Sequence, residues 1–537
     1  MCNMQPMPNT ELQKYAFNHF QMAIKMAERH HRVPCFLLLL LTWTTSLVAS
    51  ADGAFCLPSV SSCWPTTKAF NAWRASLGNN TDVYFPDKQP DMFLSKSVSM
   101  NLLKSNYPGI IVVPATERDL RLSVAFAFAN GIRVVAMCSG HDFNGRSTGR
   151  GIMLIKTDKL KSISYDATAK TITFGSGNMH GDIYSFLAPK GRVYVGGQSK
   201  TVCPAGCLAG GCHGLLSRQY GLGSDNIIEI QIVLYNGTAI RASKTRNADL
   251  FNAYLGAGQN SFGVALSFTA RTFPAPPAVW EINVALNIEL PDQPGGPNVL
   301  NTFIMNATWF NSLPLELAGN IHITGSTMLL NLIYTGKDSN AVQASLGSLF
   351  RSPFITGVEV NNYTDVYQLA LNSYPPSSEI WQRKFIVNGF VPPQQPLLDG
   401  VADIIITTKP DMWLWFVYGG AVRKGTVGSV PPGMRDAMYQ ILIGTQWNDP
   451  NEDEQYMAAL EMFVPSLYGT VPYSYNNEYT SWGDKYGVVR DWKTRFFANY
   501  DSLLSVKDKY DPCNFFTVQY GVASDLPKAT CKGGSKK

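Results

Sequence analysis

Apolar and polar positions follow the most legible pattern between residues 110 and 137. Ile110–Val113 is a β-branched run closed by Pro114, which reads as a buried strand. Thr116 can cap a helix, with Asp119 three residues on in a variant of the capping box. Leu120, Val124, Ala127 and Phe128 then share one helical face, and Asn130-Gly131 supplies a stop. A second apolar run covers 132–137. Together these predict a β-α-β unit with two parallel strands.

Strand patterns follow at 152–155, 162–165 and 171–174, with a helix over 182–187. Residues 227–234 and 238–242 flank Asn236-Gly237, a hairpin signal, and 264–273 is a further strand. Pro274-Ala275-Pro276-Pro277 then marks a domain boundary. Beyond it, strands at 280–290, 328–334, 412–418 and 439–443 alternate with helices at 340–350 and 451–462, the pattern of a second α+β domain. There is no internal repeat.

The amino terminus reads as an address. Arg29-His30-His31-Arg32 precedes a mostly apolar run over 33–48, and Ala49-Ser50-Ala51 supplies a small-residue cleavage pattern. The run is shorter than the roughly 20 residues of a spanning helix. The expectation is a secretory signal peptide with its extension over residues 1–51, and Met22 and Met26 are alternative starts. A secreted chain can carry disulfides. Its four sequons, at Asn79, Asn236, Asn306 and Asn362, fit a glycosylated surface.

Composition narrows the class. The chain has 537 residues, enough for two or three domains. With 45% hydrophobic residues it is globular. A net charge of only +5 argues against a nucleic-acid or anionic-membrane partner. Aromatic content of 12% suits a large pocket for an organic substrate.

Three glycine-bearing loops carry candidate chemistry. The first runs Cys138-Ser139-Gly140-His141-Asp142-Phe143-Asn144-Gly145-Arg146-Ser147. The second joins Cys203-Pro204-Ala205-Gly206-Cys207 to Gly210-Gly211-Cys212-His213-Gly214 and continues through Tyr220-Gly221-Leu222 to Asp225-Asn226. The third is Gly256-Ala257-Gly258-Gln259-Asn260-Ser261-Phe262-Gly263-Val264. Such loops let backbone N–H groups approach a phosphate. None is a Walker loop or a dinucleotide fingerprint, and each alone also reads as an ordinary turn.

Taken in order, these loops resemble the FAD-linked oxidases of the berberine bridge enzyme-like type, in the vanillyl-alcohol-oxidase superfamily. Asn247-Ala248-Asp249-Leu250-Phe251 resembles that family too. So do Tyr475-Asn476-Asn477-Glu478, Asn499-Tyr500 and the run from Lys509-Tyr510-Asp511-Pro512-Cys513-Asn514 to Phe516. The resemblance covers about 107–276 and 473–522. It implies a two-domain α+β, PCMH-type FAD-binding fold. The FAD-binding domain would span 107–276, a substrate domain 277–470, and the segment 473–522 would return to the first domain.

The resemblance also implies the site. FAD would be bound covalently through His141, with Ser139, Gly140, Asp142, Gly206, Gly210, Gly211, His213, Asp225, Gly263, Val264, Asn477 and Asn514 around it. A second link, which some members make through cysteine, falls at Ser199, with Cys203 and Cys207 out of register, so one bond is expected. Cys203, Cys207, Cys212 and His213 also admit a zinc reading, but their spacing is not that of paired zinc ligands. A disulfide inside that cluster, Cys56 with Cys63, and Cys513 with Cys531 are open pairings.

Substrate oxidation needs a base beside the flavin. Several members carry a glutamate in the segment after Tyr418-Gly419-Gly420, but Ala421 to Gly428 contains no carboxylate here. Tyr475 is the candidate replacement, with Arg423, Lys424 and Arg146 as cations that could lower its pKa. Glu478 reads as structural, and His180 and His322 as ordinary core or surface residues. The expected activity is oxidation of an alcohol, sugar or similar small organic substrate with O2 as acceptor. A dehydrogenase using another acceptor and a non-catalytic FAD carrier are the alternatives.

Overall fold

The computed structural model describes residues 64–288, 299–337, 339–363, 366, 382–408, 411–461 and 492–526. The signal-peptide reading, the Cys56–Cys63 pairing, and Tyr475, Asn477 and Glu478 lie outside them. Among the described residues, no helix is long and apolar enough to cross a membrane.

The β-α-β pattern is realised with one rearrangement. Strands β1 (Asp82–Tyr84), β2 (Ile110–Val113), β3 (Val134–Met137) and β4 (Met153–Lys156) form a sheet of order β1-β2-β4-β3. β2 and β3 are parallel, but each pairs with β4, which lies between them. The helix Glu117–Ala129 starts where Thr116 accepts the Asp119 N–H, and its Leu120, Val124 and Ala127 are buried against the sheet. Asp119 is also held by Thr81 Oγ1 and the Gly78 N–H, which ties the amino-terminal strand to this helix.

A second, antiparallel sheet contains β5 (Ile163–Asp166), β6 (Thr171–Gly175), β7 (Ile227–Val233), β8 (Ala239–Ser243) and β9 (Val264–Arg271), in the order β5-β6-β9-β7-β8. The Asn236-Gly237 hairpin joins β7 to β8, with Gly237 at φ +78°. The third sheet is antiparallel and has seven strands. They are β10 (Val279–Asn287), β11 (Leu317–Thr324), β12 (Thr327–Tyr334), β13 (Ile355–Tyr363), β14 (Arg383–Val391), β15 (Met412–Phe416) and β16 (Tyr439–Trp447). Their order is β13-β10-β12-β11-β15-β16-β14. One face of this sheet (Ile282, Val284, Ile321, Leu330, Leu414, Ile441) shares a core with the helices Ser339–Phe350 and Gln395–Thr408. The alternating positions face the other way and mix polar and aromatic residues (Asn283, Asn320, Asn331, Gln440, Trp413, Trp415) with aliphatic ones such as Leu329 and Ile333.

Helices Trp492–Phe496 and Tyr500–Tyr510 share the core of the second sheet through Trp492, Phe496, Leu503 and Tyr510. Polar contacts fix them there. Lys509 and Tyr510 bind the Asp249 carboxylate at 2.6 and 2.9 Å. Lys507, almost wholly buried, donates to Asp511 Oδ2, Ser261 O and Phe516 O, while Asp511 accepts the Phe515 and Phe516 N–H groups. A buried pair of this kind is costly to break on one side, because the remaining charge loses its partner. Lys507→Met should therefore lower unfolding stability by about 3–5 kcal/mol, read from denaturant midpoints. A loss under about 1 kcal/mol would mean that the pair does not clasp this segment.

Candidate active site

A channel runs between the first two sheets, and three loops wall it. Ala136 to Phe143, with Arg146 and Ser147, follow β3. Val202, Cys203, Ala205, Gly206, Cys207 and Ala209 form the second wall. Tyr254, Gln259, Asn260 and Gly263 to Ala265 form the third. Asn260 locks two of these walls together. Its Oδ1 accepts the Ala136 N–H at 2.8 Å, and its Nδ2 donates to Ala136 O and Arg146 O.

The first and second loops are joined covalently by the Cys138–Cys203 disulfide. Cys207 pairs with Cys212 across the short helix Pro204–Ala209. The open pairing inside the cysteine cluster is thus Cys207–Cys212, and Cys203 leaves the cluster for Cys138. Cys513 is disulfide-bonded as well. The zinc reading does not hold. Among the described residues, the one group with metal-ligand atoms close together is His180, Cys207 and Cys212, and its two sulfurs are bonded to each other. His213 turns away and packs at 5.3 Å from the Tyr418 ring and 6.1 Å from Trp415.

His141 lies between the joined loops. Gly140 supplies the turn before it at φ +79°, which favours glycine. The His141 Nε2 lies 2.8 Å from Thr201 Oγ1, and Ser199 Oγ is 3.2 Å from the same hydroxyl. Thr201 thus fixes the orientation of the His141 ring in the loop. Behind this loop, His180 is fully buried. It accepts the Gly197 N–H at Nε2 (3.1 Å), and its Nδ1 meets the Tyr194 hydroxyl. His180 is therefore the core post on which residues 196–201 are hung.

The residues fit FAD. Two hydroxyls that line the channel, Ser147 Oγ and Ser176 Oγ, are buried without a hydrogen-bond partner among the described residues. Buried hydroxyls are rarely left unpaired, and these are neutral donors for phosphate oxygens. Arg146, buried beside Asp142 at 3.7 Å, adds positive charge to the same wall.

Of the site residues expected from sequence, the channel gathers Ser139, Gly140, His141, Asp142, Gly206, Gly263 and Val264. Gly210, Gly211, His213, Asp225 and Asn514 do not line it. Gly210 ends the helix Pro204–Ala209, and Gly211 packs on Met434. Asp225 makes a two-pronged pair with Arg435 at 2.7 and 2.8 Å and accepts the Leu222 N–H. Asn514 donates to Ala523 O within the carboxyl-terminal turn. Thr201, Asn260, Ser147 and Ser176 are channel or anchoring residues that sequence reading did not single out. Asn260 stands in the third glycine loop, but nothing in the sequence sets it apart from its neighbours.

The seven-stranded sheet and its loops meet these walls at two points. Asn101 Nδ2 donates to Phe143 O and Lys384 O (both 2.9 Å), which ties the His141 loop to β14. Lys384 is buried over the Phe143 ring, and burial lowers its pKa to about 8. Arg218 is buried as well, and it donates to Tyr418 O at 2.9 Å between the faces of Phe310 and Phe416. Burial lowers its pKa to about 10. Gly420, at φ +54°, passes so close that a Cβ there would meet Arg218 O at 2.4 Å.

The comparisons with known proteins agree with this geometry. A model described as an FAD binding domain matches residues 108–243, and one described as berberine and berberine like matches 448–523. The chain belongs to the berberine bridge enzyme-like FAD-linked oxidoreductases. It is 28% identical over 461 residues to the FAD-linked oxidoreductase ZEB1 of Gibberella zeae, covering 78% of this chain and 77% of that protein. It is 26% identical over 470 residues to the VAO-type flavoprotein oxidase VAO615 of Thermothelomyces thermophilus, with shares of 78% and 77%. The crystal structure of the VAO-type flavoprotein MtVAO615 from Myceliophthora thermophila matches with a TM-score of 0.74 at 22% identity, over 90% of this chain and 99% of that one. A chitooligosaccharide oxidase matches at 0.70 and 21%, over 86% and 100%. These structures carry the two-domain α+β fold. The oxidoreductase is accordingly an enzyme that uses FAD on a small organic substrate.

Burial also gives His180 a measurable signature. It lowers the imidazole pKa from 6.5 to about 3. Below about pH 6.5 the unfolded chain takes up a proton there that the folded chain refuses. The resulting stability is complete above about pH 6.5 and is lost as pH falls towards 3, at up to about 1.4 kcal/mol per pH unit. His180→Gln should flatten the fall in denaturant midpoint between about pH 6.5 and 4. An unchanged slope would assign the acid sensitivity to other groups.

Proposed function

We propose that this oxidoreductase is a secreted oxidase that holds FAD covalently through His141, oxidises an alcohol, sugar or similar carbon, and passes the electrons to O2. The observation that carries the reading is the His141–Thr201 pair set in a channel with two unpaired serine hydroxyls. His141 would give a deprotonated ring nitrogen to a bond with the flavin 8α-methyl in place of one methyl hydrogen, with O2 as the two-electron oxidant that ends as hydrogen peroxide. Cys203 and Cys207 are already spent in disulfides, which supports a single link. Ser139 to Asp142, Gly206, Gly263 and Val264 would line the cofactor, with Ser147 and Ser176 on its phosphates. Bound FAD supplies the two-electron acceptor.

Several further points belong to this reading. The domain limits are 107–276, 277–470 and 473–522, and the packing of Tyr500–Tyr510 on the second sheet supports the last. The leader over 1–51 would direct the chain outside the cell, with no nucleic-acid or membrane partner after cleavage. Asn477 would stand near the flavin beside Tyr475. Names of relatives such as VAO615 and chitooligosaccharide oxidase favour O2 over another acceptor.

The test of oxidation is anaerobic bleaching of the yellow protein by alcohols and sugars. Peroxide should appear in equal amount to the substrate consumed once air is admitted. Bleaching that persists in air would make the enzyme a dehydrogenase. Tyr475 is proposed as the base that takes the substrate's hydroxyl proton while the carbon gives its hydride to the flavin. Tyr475→Phe should then slow flavin reduction by about 10²–10⁴-fold at unchanged flavin content. Wild-type rate and pH profile would remove Tyr475 from the chemistry.

A further inference from the structure

One of the four sequons lies on a strand. Asn79 and Asn236 are exposed in turns. Asn306 is half-buried and caps a helix, its Oδ1 accepting the Thr308 and Trp309 N–H groups at 3.0 Å. Asn362 is exposed on β13, at the head of the run Asn362-Tyr363-Thr364. β13 is an edge strand of the seven-stranded sheet, and among the described residues it pairs with β10 alone.

This edge is apolar on one face. Register sets Val358, Val360 and Asn362 opposite Val284, Ile282 and Trp280. Residues directly opposite in an antiparallel pair share a face, so all three belong to the face that carries the sheet's core. Val284 and Ile282 are 1% and 4% exposed there, whereas Val358 and Val360 are 49% and 53% exposed. The layer that covers β10 therefore stops one strand short of the edge. Edge strands are commonly guarded by Lys, Pro, a bulge or an inward-pointing charge, because their unpaired N–H and C=O groups template pairing with another chain. Ile355–Tyr363 has neither Lys nor Pro. Its bulge lies at the Ile355 end, which leaves 357–363 in regular register. Its one charge, Glu359, belongs to the opposite face, where Asn361 Nδ2 meets it at 3.2 Å.

We propose that Asn362 carries an N-linked glycan whose inner sugar rings lie over Val360 and Val358 and shut this edge to other strands. The inference rests on the secreted reading, because the modification belongs to the secretory route. The transfer joins Asn362 Nδ2 to the anomeric carbon of an oligosaccharide held on a lipid pyrophosphate. One amide hydrogen leaves as a proton, the lipid pyrophosphate is the leaving group, and nothing is oxidised or reduced. Val360 follows Asn362 on the same face at about 7 Å along the strand, and Val358 at about 13 Å. The C–H faces of the first sugars cover those side chains, while their hydroxyls stay in water and keep a second chain away.

The test starts from the full chain passed through a eukaryotic secretory host. Enzymatic removal of N-glycans turns each occupied Asn into Asp, so peptide masses read the occupancy of all four sequons. Asn362 should be converted. Light scattering then follows self-association of the flavin-loaded protein after its glycans are trimmed in the folded state, and of the Asn362→Gln and Thr364→Val variants. Each should associate at a concentration about 10-fold below that of wild type, and Asn79→Gln should not. Adding Val360→Lys to Asn362→Gln should restore the monomer, with flavin content unchanged throughout. Asn362 left unmodified while another sequon is occupied refutes the proposal and leaves the secreted reading standing. So does trimmed protein that stays monomeric, or association that Val360→Lys does not reverse. Retention of the chain inside the cell with all four sequons bare overturns the secreted reading as well.

Discussion

The Cys138–Cys203 bond is the constraint on which the active site depends. Cys138 ends the run that begins with β3 in the first sheet, and Cys203 precedes a helix that packs with the second sheet. The two loops come from different sheets and are far apart in sequence, so little else holds them in register. Once they are joined, His141 stands three residues from one sulfur and Thr201 two residues from the other. The 2.8 Å contact between them follows from that closure. The bond also removes Cys203 as a nucleophile. His180 supports the same loop from behind through the Gly197 N–H, so the wall is fixed on both sides.

The second requirement is that the seven-stranded sheet be fixed against this channel in one orientation. Three different contacts provide it: the Asn101 bridge to Phe143 and Lys384, the Asp225–Arg435 pair, and buried Arg218 under Tyr418. Among the described residues, Arg218 has no carboxylate directly against it. Backbone carbonyls and two aromatic faces take up its charge, which is tolerable for a guanidinium and would be poor for an ammonium. The stretch Gly420–Lys424, which contains no carboxylate, packs against the short helix Ser217–Tyr220 that carries Arg218.

Local signals in the sequence were read well where they sufficed. Ile110–Val113, the Thr116 cap and the Asn236-Gly237 hairpin are settled by residues a few positions apart, and the structure has them. The insertion of β4 between β2 and β3 was not legible, because the choice of a parallel partner is non-local. β11 was missed because Gly319, Asn320 and His322 interrupt its apolar run, and β13 because nearly all of it is exposed. At the site, motif resemblance led to His141, Gly263 and Val264. Thr201 meets His141 across 60 residues, and no spacing rule points to it. Asp225 and Asn514 carry motif positions but are engaged in an ion pair and a turn. His180, read as an ordinary core or surface residue, is a fully buried core residue that holds the Gly197 N–H, and His322 is a part-exposed residue stacked on Trp413.

The central claim is that one histidine, held by a disulfide-closed pair of loops, carries the flavin. The most direct measurement is a peptide map of the yellow protein, digested without reduction after acid precipitation. The account predicts a single flavin-bearing peptide that contains His141 and is joined through Cys138–Cys203 to the peptide bearing Thr201. Free FAD in the acid supernatant, a flavin bonded to a cysteine sulfur, or Cys203 recovered as a free thiol would contradict it.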